Sequence, residues 1–397
     1  MPGDEIGAFR RLLTPEGQRL LASLPPYDAA SALSAAEAAR RAGHEESLVA
    51  TALTQSRLRA RAVRKFGAQA SSLYFTPDGL EQATRPVVAA RRAQRFADAG
   101  VRRVADLCCG IGGDLPHLAA AASNGAVGVD RDPLTCAVAA ANLEVLGLAE
   151  RVEIRCAEAA AADLAGIDGV FLDPARRGSR GRTFDPAAYS PPYSFVLELA
   201  ERVPASAAKL APGIPHAVLP RGAEAEWVSV DGDLVECAVW FGPLSSGVTR
   251  RATILPAAAT LTGDGTVRAA GGPVGRYLYE PDAAVIRAGL VADVATQLGG
   301  HLLDPTIAYV TGDTRANSPF ATGYEVLDVL PFSLKRLRTL LRARDVGRLT
   351  IKKRGSAIEP ETLRRQLRLA GSAEATIVVT RLAGAPTVLV VDPLRDR

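Results

Sequence analysis

The sequence predicts an open, doubly wound α/β sheet, preceded by a helical region and followed by an α+β domain. Three observations carry that expectation. Between residues 101 and 173, apolar strand-like runs alternate with helix-like stretches, and polar groups recur at the strand ends. The first run opens into Asp106-Leu-Cys-Cys-Gly-Ile-Gly-Gly-Asp114, a carboxylate at a strand end followed by glycines that let the backbone approach a ligand. The chain before this block lacks strand patterning, and the chain after it mixes strands and helices. Three regions follow: 1–99, 100–245 and 246–397.

Residues 1–99 read as helices with Ala-rich and Arg-rich faces. Thr14-Pro15-Glu16 and Thr76-Pro77-Asp78 each set a hydroxyl N-cap before a proline, a helix-start signal. Residues 101–107 then form the first strand and 115–122 a helix. Ala126-Val-Gly-Val-Asp130 forms the second strand, and 133–146 a helix closed by Gly147. Val152-Glu-Ile-Arg-Cys156 forms the third strand, with Glu158 just past its end. The fourth runs from Gly169 into Asp173-Pro-Ala-Arg-Arg177. In such a sheet these ends share one edge, where ligands bind.

The ligand class follows from the turn. A dinucleotide site needs a third glycine where Leu115 stands, and Asp106, four residues before Gly110, would repel a pyrophosphate. The same carboxylate pairs readily with an ammonium group. S-adenosylmethionine carries that ammonium and no phosphate, so the strip favours it over NAD. Asp130 suits both ribose hydroxyls, as it would in NAD enzymes, and Glu158 suits an adenine amino group. A tight turn without a ligand is the bland alternative for the strip alone.

On these residues, 100–245 resembles a class I S-adenosylmethionine-dependent methyltransferase. Asp106–Asp114 corresponds to its first motif, Asp130 to its second, Glu158 to its third and Asp173-Pro174-Ala175-Arg176 to its fourth. The resemblance implies a Rossmann-like sheet holding S-adenosylmethionine through Asp106, Cys108, Gly110, Gly112, Asp130, Arg131 and Glu158. The segment Leu80–Thr84 would fold over the cofactor and bring Gln82 and Thr84 to it; a helix-surface pair is the alternative. Asp173, Pro174 and Arg176 form the expected catalytic set. The fourth motif resembles the Asp-Pro-Pro-aromatic signature of enzymes that methylate nucleic-acid amines. Ala175 and Arg176 depart from that signature. The whole chain is also similar to bacterial methyltransferases with a C-terminal THUMP-like domain, through residues 324–331 and Leu349-Thr-Ile-Lys-Lys-Arg-Gly355.

Composition bounds the remainder. At 397 residues, 48% of them hydrophobic, the chain can build two or three cores. No run approaches a membrane span, and the start, Met-Pro-Gly-Asp-Glu, has neither a basic n-region nor an apolar h-region, so a secretory signal is not expected. Five cysteines without metal spacing suit a reducing cytoplasm, and four scattered histidines argue against zinc. The formal charge is only +4, but it is uneven. Lys335, Arg336, Arg338, Arg342, Arg344, Arg348, Lys352, Lys353, Arg354, Arg364, Arg365 and Arg368 crowd one segment against Asp345, Glu359 and Glu361. Such a cluster suits a phosphate backbone, and RNA is the expected partner; a solvated face of Arg-rich helices is the alternative. Lys335, Arg338, Lys352, Lys353 and Arg354 are the expected contacts, with Arg177 after the fourth strand.

In the tail, strands are expected at 251–255, 306–310, 324–330, 349–353, 375–380 and 388–391. Helices are expected at 283–298, 333–344 and 360–369.

For chemistry, an amine acceptor would give its N–H bonds to Asp173 and the Pro174 carbonyl, with Phe184, Tyr189 and Tyr193 as a candidate stacking surface. Carbon-5 methylation of a pyrimidine needs a nucleophilic cysteine, and Cys237 lies in an apolar strand-like run, so a base nitrogen of transfer or ribosomal RNA is preferred. A small-molecule methyltransferase and a non-catalytic RNA-binding protein of the same fold stay open.

Overall fold

The computed structural model describes residues 2–175, 177–178, 181–182 and 189–394. They form two compact units, Met1–Ala223 with Cys237–Gly247, and Glu224–Glu236 with Val248–Arg397.

The first unit begins with six helices: α1 (Pro2–Leu12), α2 (Pro15–Ser23), α3 (Ala32–Arg41), α4 (Glu46–Phe66), α5 (Pro77–Gln82) and α6 (Pro86–Asp98). The two hydroxyl caps form: Thr14 accepts from the Gly17 N–H and Thr76 from the Gly79 N–H. The alternating block follows as β1 (Val104–Leu107), α7 (Leu115–Ala121), β2 (Ala126–Asp130), α8 (Pro133–Val145), β3 (Val152–Cys156) and β4 (Gly169–Leu172). A short ribbon, β5 (Arg177–Gly178) with β6 (Gly181–Arg182), leads to α9 (Tyr193–Arg202) and β7 (Ala205–Leu210). Strands β7, β4, β1, β2 and β3 lie side by side and parallel. After β8 (Glu224–Val230), the strand β9 (Asp233–Trp240) returns antiparallel to β7. From β1 the chain steps outward to β2 and β3, then crosses back to β4 on the other side. The order therefore reverses between β1 and β4, which opens a crevice at their carboxyl ends.

The helical region shares a core with the sheet's ligand-side loops. Phe9, Leu12, Leu20, Leu48, Leu58 and Phe75 pack with Val138 and Ala141 of α8 and with Ile111 of the glycine strip. Two buried amides fasten the segment 73–76 in place. Gln55 of α4 exchanges both amide bonds with the Phe75 backbone (2.7 and 3.0 Å). Asn142 of α8 accepts from the Tyr74 N–H at 2.7 Å and donates to the carbonyls of Tyr74 and Ile111, both at 3.0 Å. One side chain thus joins helix, glycine turn and N-terminal segment.

The second unit carries β8, β10 (Arg250–Leu255) and β11 (Ala259–Gly263), followed by β12 (Tyr277–Pro281). The single helix expected at 283–298 is two, α10 (Ala283–Ala288) and α11 (Val291–Gln297), because Gly289 adopts a left-handed conformation (φ 74°) that caps the first. Then come β13 (His301–Asp304), β14 (Ile307–Gly312), β15 (Ala321–Pro331), α12 (Leu334–Ala343), β16 (Val346–Lys353), α13 (Pro360–Leu367), β17 (Ala373–Leu382) and β18 (Ala385–Pro393). Strands β13, β14, β12, β15, β18, β17 and β16 form one sheet in that order. Period-two alternation divides its faces: Ile377 and Val379 meet Leu337 and Leu341 of α12 and Leu363 and Leu367 of α13, whereas Val378 faces Leu278 and Tyr309. The sheet curls until distant strands meet, as Arg381 of β17 pairs with Asp304 of β13 at 3.5 Å. Among the described residues no helix is long and apolar enough to cross a membrane.

Replacing Asn142 by Leu strands three buried backbone groups, so we expect a loss of about 2–3 kcal/mol in urea unfolding. An unchanged midpoint would show that this amide clamp carries no weight.

Candidate active site at the carboxyl edge of the first sheet

The strip after β1 is shaped by left-handed backbone. Cys108 (φ 64°), Gly110 (φ 57°) and Gly112 (φ 83°) alternate with ordinary residues, and at Cys108 this costs strain that a non-glycine rarely bears. The turn brings the Gly110 N–H to Asp130 Oδ2 at 3.0 Å, while the Asp132 N–H reaches Oδ1 at 3.0 Å. Asp130 is thereby oriented with acceptor capacity left on both oxygens. Arg131 lies 3.9 Å from Glu158, and both side chains are largely exposed at the rim. Gln82 and Thr84 also reach this edge: a Cβ on Gly113 would sit 3.4 Å from both Ala83 Cβ and the Thr84 nitrogen.

Charge is concentrated beneath the loop. Asp106 is 1% exposed, and its Oδ1 has no hydrogen-bond partner among the described residues. Burial first, then repulsion from Asp114 and Asp173, holds its carboxyl well above the usual carboxylate range, against Arg92 and Lys209. Buried Arg92 pairs with Asp114 and lies over the Phe171 ring, 4.1 Å from its centroid. Lys209 pairs with Asp173 Oδ2 at 2.6 Å. Each cation thus meets another carboxylate, and among the described residues Asp106 alone of the three has no ion pair. The Asp173 N–H donates to the Leu107 carbonyl at 3.1 Å, which sets Asp173 beside the end of β1. Pro174 follows it, buried. Lys65, at the end of α4, donates to the Leu80 and Glu81 carbonyls at 2.9 and 3.1 Å. Burial, then repulsion from Lys209 and Arg85, pushes its pKa down to about 8.

The expected residues Gln82, Thr84, Asp106, Cys108, Gly110, Gly112, Asp130, Arg131, Glu158, Asp173 and Pro174 therefore gather at one sheet edge. Arg176, Phe184 and the side chain of Arg177 lie outside the described residues. The expected stacking surface is corrected in part: Tyr189 (4% exposed) and Tyr193 (8%) are buried, the Tyr189 hydroxyl accepting from the Ala211 N–H at 3.3 Å and Tyr193 opening α9. Sequence reasoning missed Lys209, Arg92 and Lys65.

The basic cluster belongs to the second unit, and the structure divides it. Lys352 pairs with Glu280 Oε2 at 2.5 Å, Arg354 with Glu280 Oε1 at 4.0 Å and Lys353 with Glu359 at 2.7 Å. These three expected RNA contacts are occupied by the protein's own carboxylates: Glu280 of β12 takes Lys352 and Arg354, and Glu359, just before α13, takes Lys353. Among the described residues, Lys335, Arg336, Arg338, Arg342, Arg365 and Arg368 have no carboxylate partner. Arg338, Thr362, Arg365, Gln366 and Arg368 line an open groove of about 530 Å³ beside α12 and α13.

Comparison with known proteins gives this geometry its family. An uncharacterized S-adenosylmethionine-dependent methyltransferase of Mycobacterium tuberculosis, found in two strains, is 38% identical over 334 residues, 82% of this chain and 90% of the relative. The chain belongs to the S-adenosylmethionine-dependent methyltransferases. Residues 321–393 match a THUMP domain-like family, and residues 5–62 match a domain of unknown function. A crystal structure of a candidate methyltransferase from Porphyromonas gingivalis W83 superposes with a TM-score of 0.70. That likeness is at 22% identity and covers 92% of this chain and 99% of that one, so it shows a shared fold.

The residues present fit this family's cofactor. An unpartnered, buried carboxylate oxygen on Asp106 suits an ammonium group, and the oriented Asp130 carboxylate suits a diol.

A sign follows for Asp106. Its folded pKa lies above the unfolded value of about 4, so the native state holds the extra proton and stability falls as pH rises through that window. Asp106→Asn removes this cost. Its urea midpoint should exceed the wild-type value, by more at pH 7.5 than at pH 4.5; a difference independent of pH would contradict the assignment.

Proposed function

We propose that this methyltransferase acts on a base nitrogen in RNA. The observation that carries the proposal is the arginine groove: cations without carboxylate partners, within the segment that matches a THUMP domain-like family. A groove of that kind gains affinity by displacing counterions from phosphates. Aromatic side chains do not line it, which favours recognition of folded RNA through its backbone over a single-strand stacking platform.

In this reading Asp106 takes the cofactor's ammonium, Asp130 its ribose hydroxyls, and Glu158, at the rim with Arg131, its adenine edge. Gln82 and Thr84 cover the glycine turn and exclude water. Bound S-adenosylmethionine supplies a methyl group on a sulfonium, already electrophilic, so alignment is the protein's main task. Asp173 accepts an N–H of the acceptor amine, which turns the nitrogen lone pair out of the base ring. It takes the proton once that nitrogen becomes cationic.

Four of the five thiols, those of Cys108, Cys109, Cys136 and Cys237, favour nitrogen over carbon. Burial, then the carboxylates of Asp130, Asp173 and Asp106, pushes the Cys108 thiol up; burial does the same for Cys109, and Cys136 is pushed up to about 12. Cys237 is wholly buried in β9. A protonated thiol is a poor nucleophile for pyrimidine carbon 6.

The test uses purified protein, tritiated S-adenosylmethionine and total RNA from cells lacking the protein. We expect label in RNA, lost in Asp173→Asn, with adenosylhomocysteine affinity kept within about threefold in calorimetry. Asn is chosen because it still accepts from Lys209. Arg338→Ala with Arg365→Ala should weaken RNA binding and reduce the salt slope by about 2. Label in small molecules and none in RNA would overturn the proposal.

A further inference from the structure

Lys209 is a charged side chain in a strand whose every position is buried. Strand β7 pairs with β4 in parallel register, Leu172 opposite Ala208, so the next step sets Lys209 beside Asp173. Its ammonium reaches Asp173 Oδ2 at 2.6 Å, Thr84 Oγ1 at 3.3 Å and the Gln82 carbonyl at 3.3 Å. Lysine is an expensive choice here. An apolar side chain would fill an alanine-rich strand without the desolvation that a buried ammonium incurs, and a lysine so placed needs close partners. These three partners lie on the expected acceptor-facing carboxylate and on the segment expected to cover the cofactor. A second cation, Lys65, is close enough to feel both Lys209 and Asp173.

We propose that Lys209 is a positioning residue for methyl transfer. It occupies Oδ2 of Asp173 and leaves Oδ1 for the acceptor's N–H. Through Thr84 and the Gln82 carbonyl it fastens the covering segment to the same carboxylate, so cofactor cover and acceptor group are set by one ammonium. It also offsets the negative charge of Asp173, which would otherwise favour the cationic donor over its neutral product.

The proposal rests on the reading of Asp173 as the acceptor-facing group, and its test needs no RNA. Affinities for S-adenosylmethionine and for adenosylhomocysteine are measured by calorimetry on the full-length protein, and their ratio is compared across variants. Lys209→Met removes a positive charge and should shift the ratio toward the sulfonium donor by about threefold or more. Asp173→Asn should shift it the other way, and Lys209→Arg should hold the wild-type ratio. In the RNA assay Lys209→Met should lower kcat with little change in KM, and Lys209→Arg should restore part of it. A ratio unmoved by both Lys209→Met and Asp173→Asn, with cofactor binding intact, would overturn the proposal and leave Lys209 a packing residue. If Lys209→Met does not fold, Lys209→Arg and Asp173→Asn carry the test: the first must keep the ratio and the second must move it. A ratio that moves as expected while wild-type protein labels no RNA sinks the RNA substrate alone.

Discussion

Asp106, Asp114 and Asp173 bring three carboxylates together, Asp106 and Asp114 buried and Asp173 partly so, and charges so placed persist only where cations or ligands meet them. Arg92 answers Asp114 and Lys209 answers Asp173, while among the described residues the Asp106 Oδ1 stays unanswered. The rest of the first unit serves that arrangement. The strand reversal between β1 and β4 opens the crevice, and the left-handed turn at Cys108, Gly110 and Gly112 leads the backbone around it. The N-terminal helices pack against Ile111 of that turn and against α8. A cationic cofactor is the natural complement of a site that holds one carboxylate in reserve.

The helical region is part of the site's machinery. Ile111, in the middle of the glycine turn, is buried in the core of those helices, and Asn142 bonds the turn and Tyr74 together. Gln55 performs the same service from α4. A loop that must approach a ligand closely is therefore not left to its own glycines; its backbone is held by amides whose loss would expose unpaired groups.

Much of this edge was legible because carboxylates punctuate apolar runs at β1, β2 and β4, and a doubly wound sheet lines such ends up. Asn142 was not legible, since its partner Tyr74 is 68 residues away and an asparagine within a helix gives no sign of a distant backbone. Lys209 was hidden differently. The strand Ala205-Ser-Ala-Ala-Lys-Leu210 lacks β-branched residues, so neither the strand nor the burial of its lysine was foreseen. The basic tail was visible as composition, but composition does not say which cations already have partners. Glu280 on β12, far from Lys352 in sequence, removed two of them. Tyr189 and Tyr193 looked like free aromatics in a Pro-rich loop; both are buried, Tyr189 against Ala211 and Tyr193 at the start of α9.

The most direct measurement is a crystal structure of the protein with adenosylhomocysteine. The account predicts the ligand's ammonium within hydrogen-bond reach of Asp106 Oδ1, its ribose hydroxyls on Asp130, and Lys209 still seated on Asp173. An ammonium bound elsewhere, with the Asp106 oxygen left bare, would contradict it.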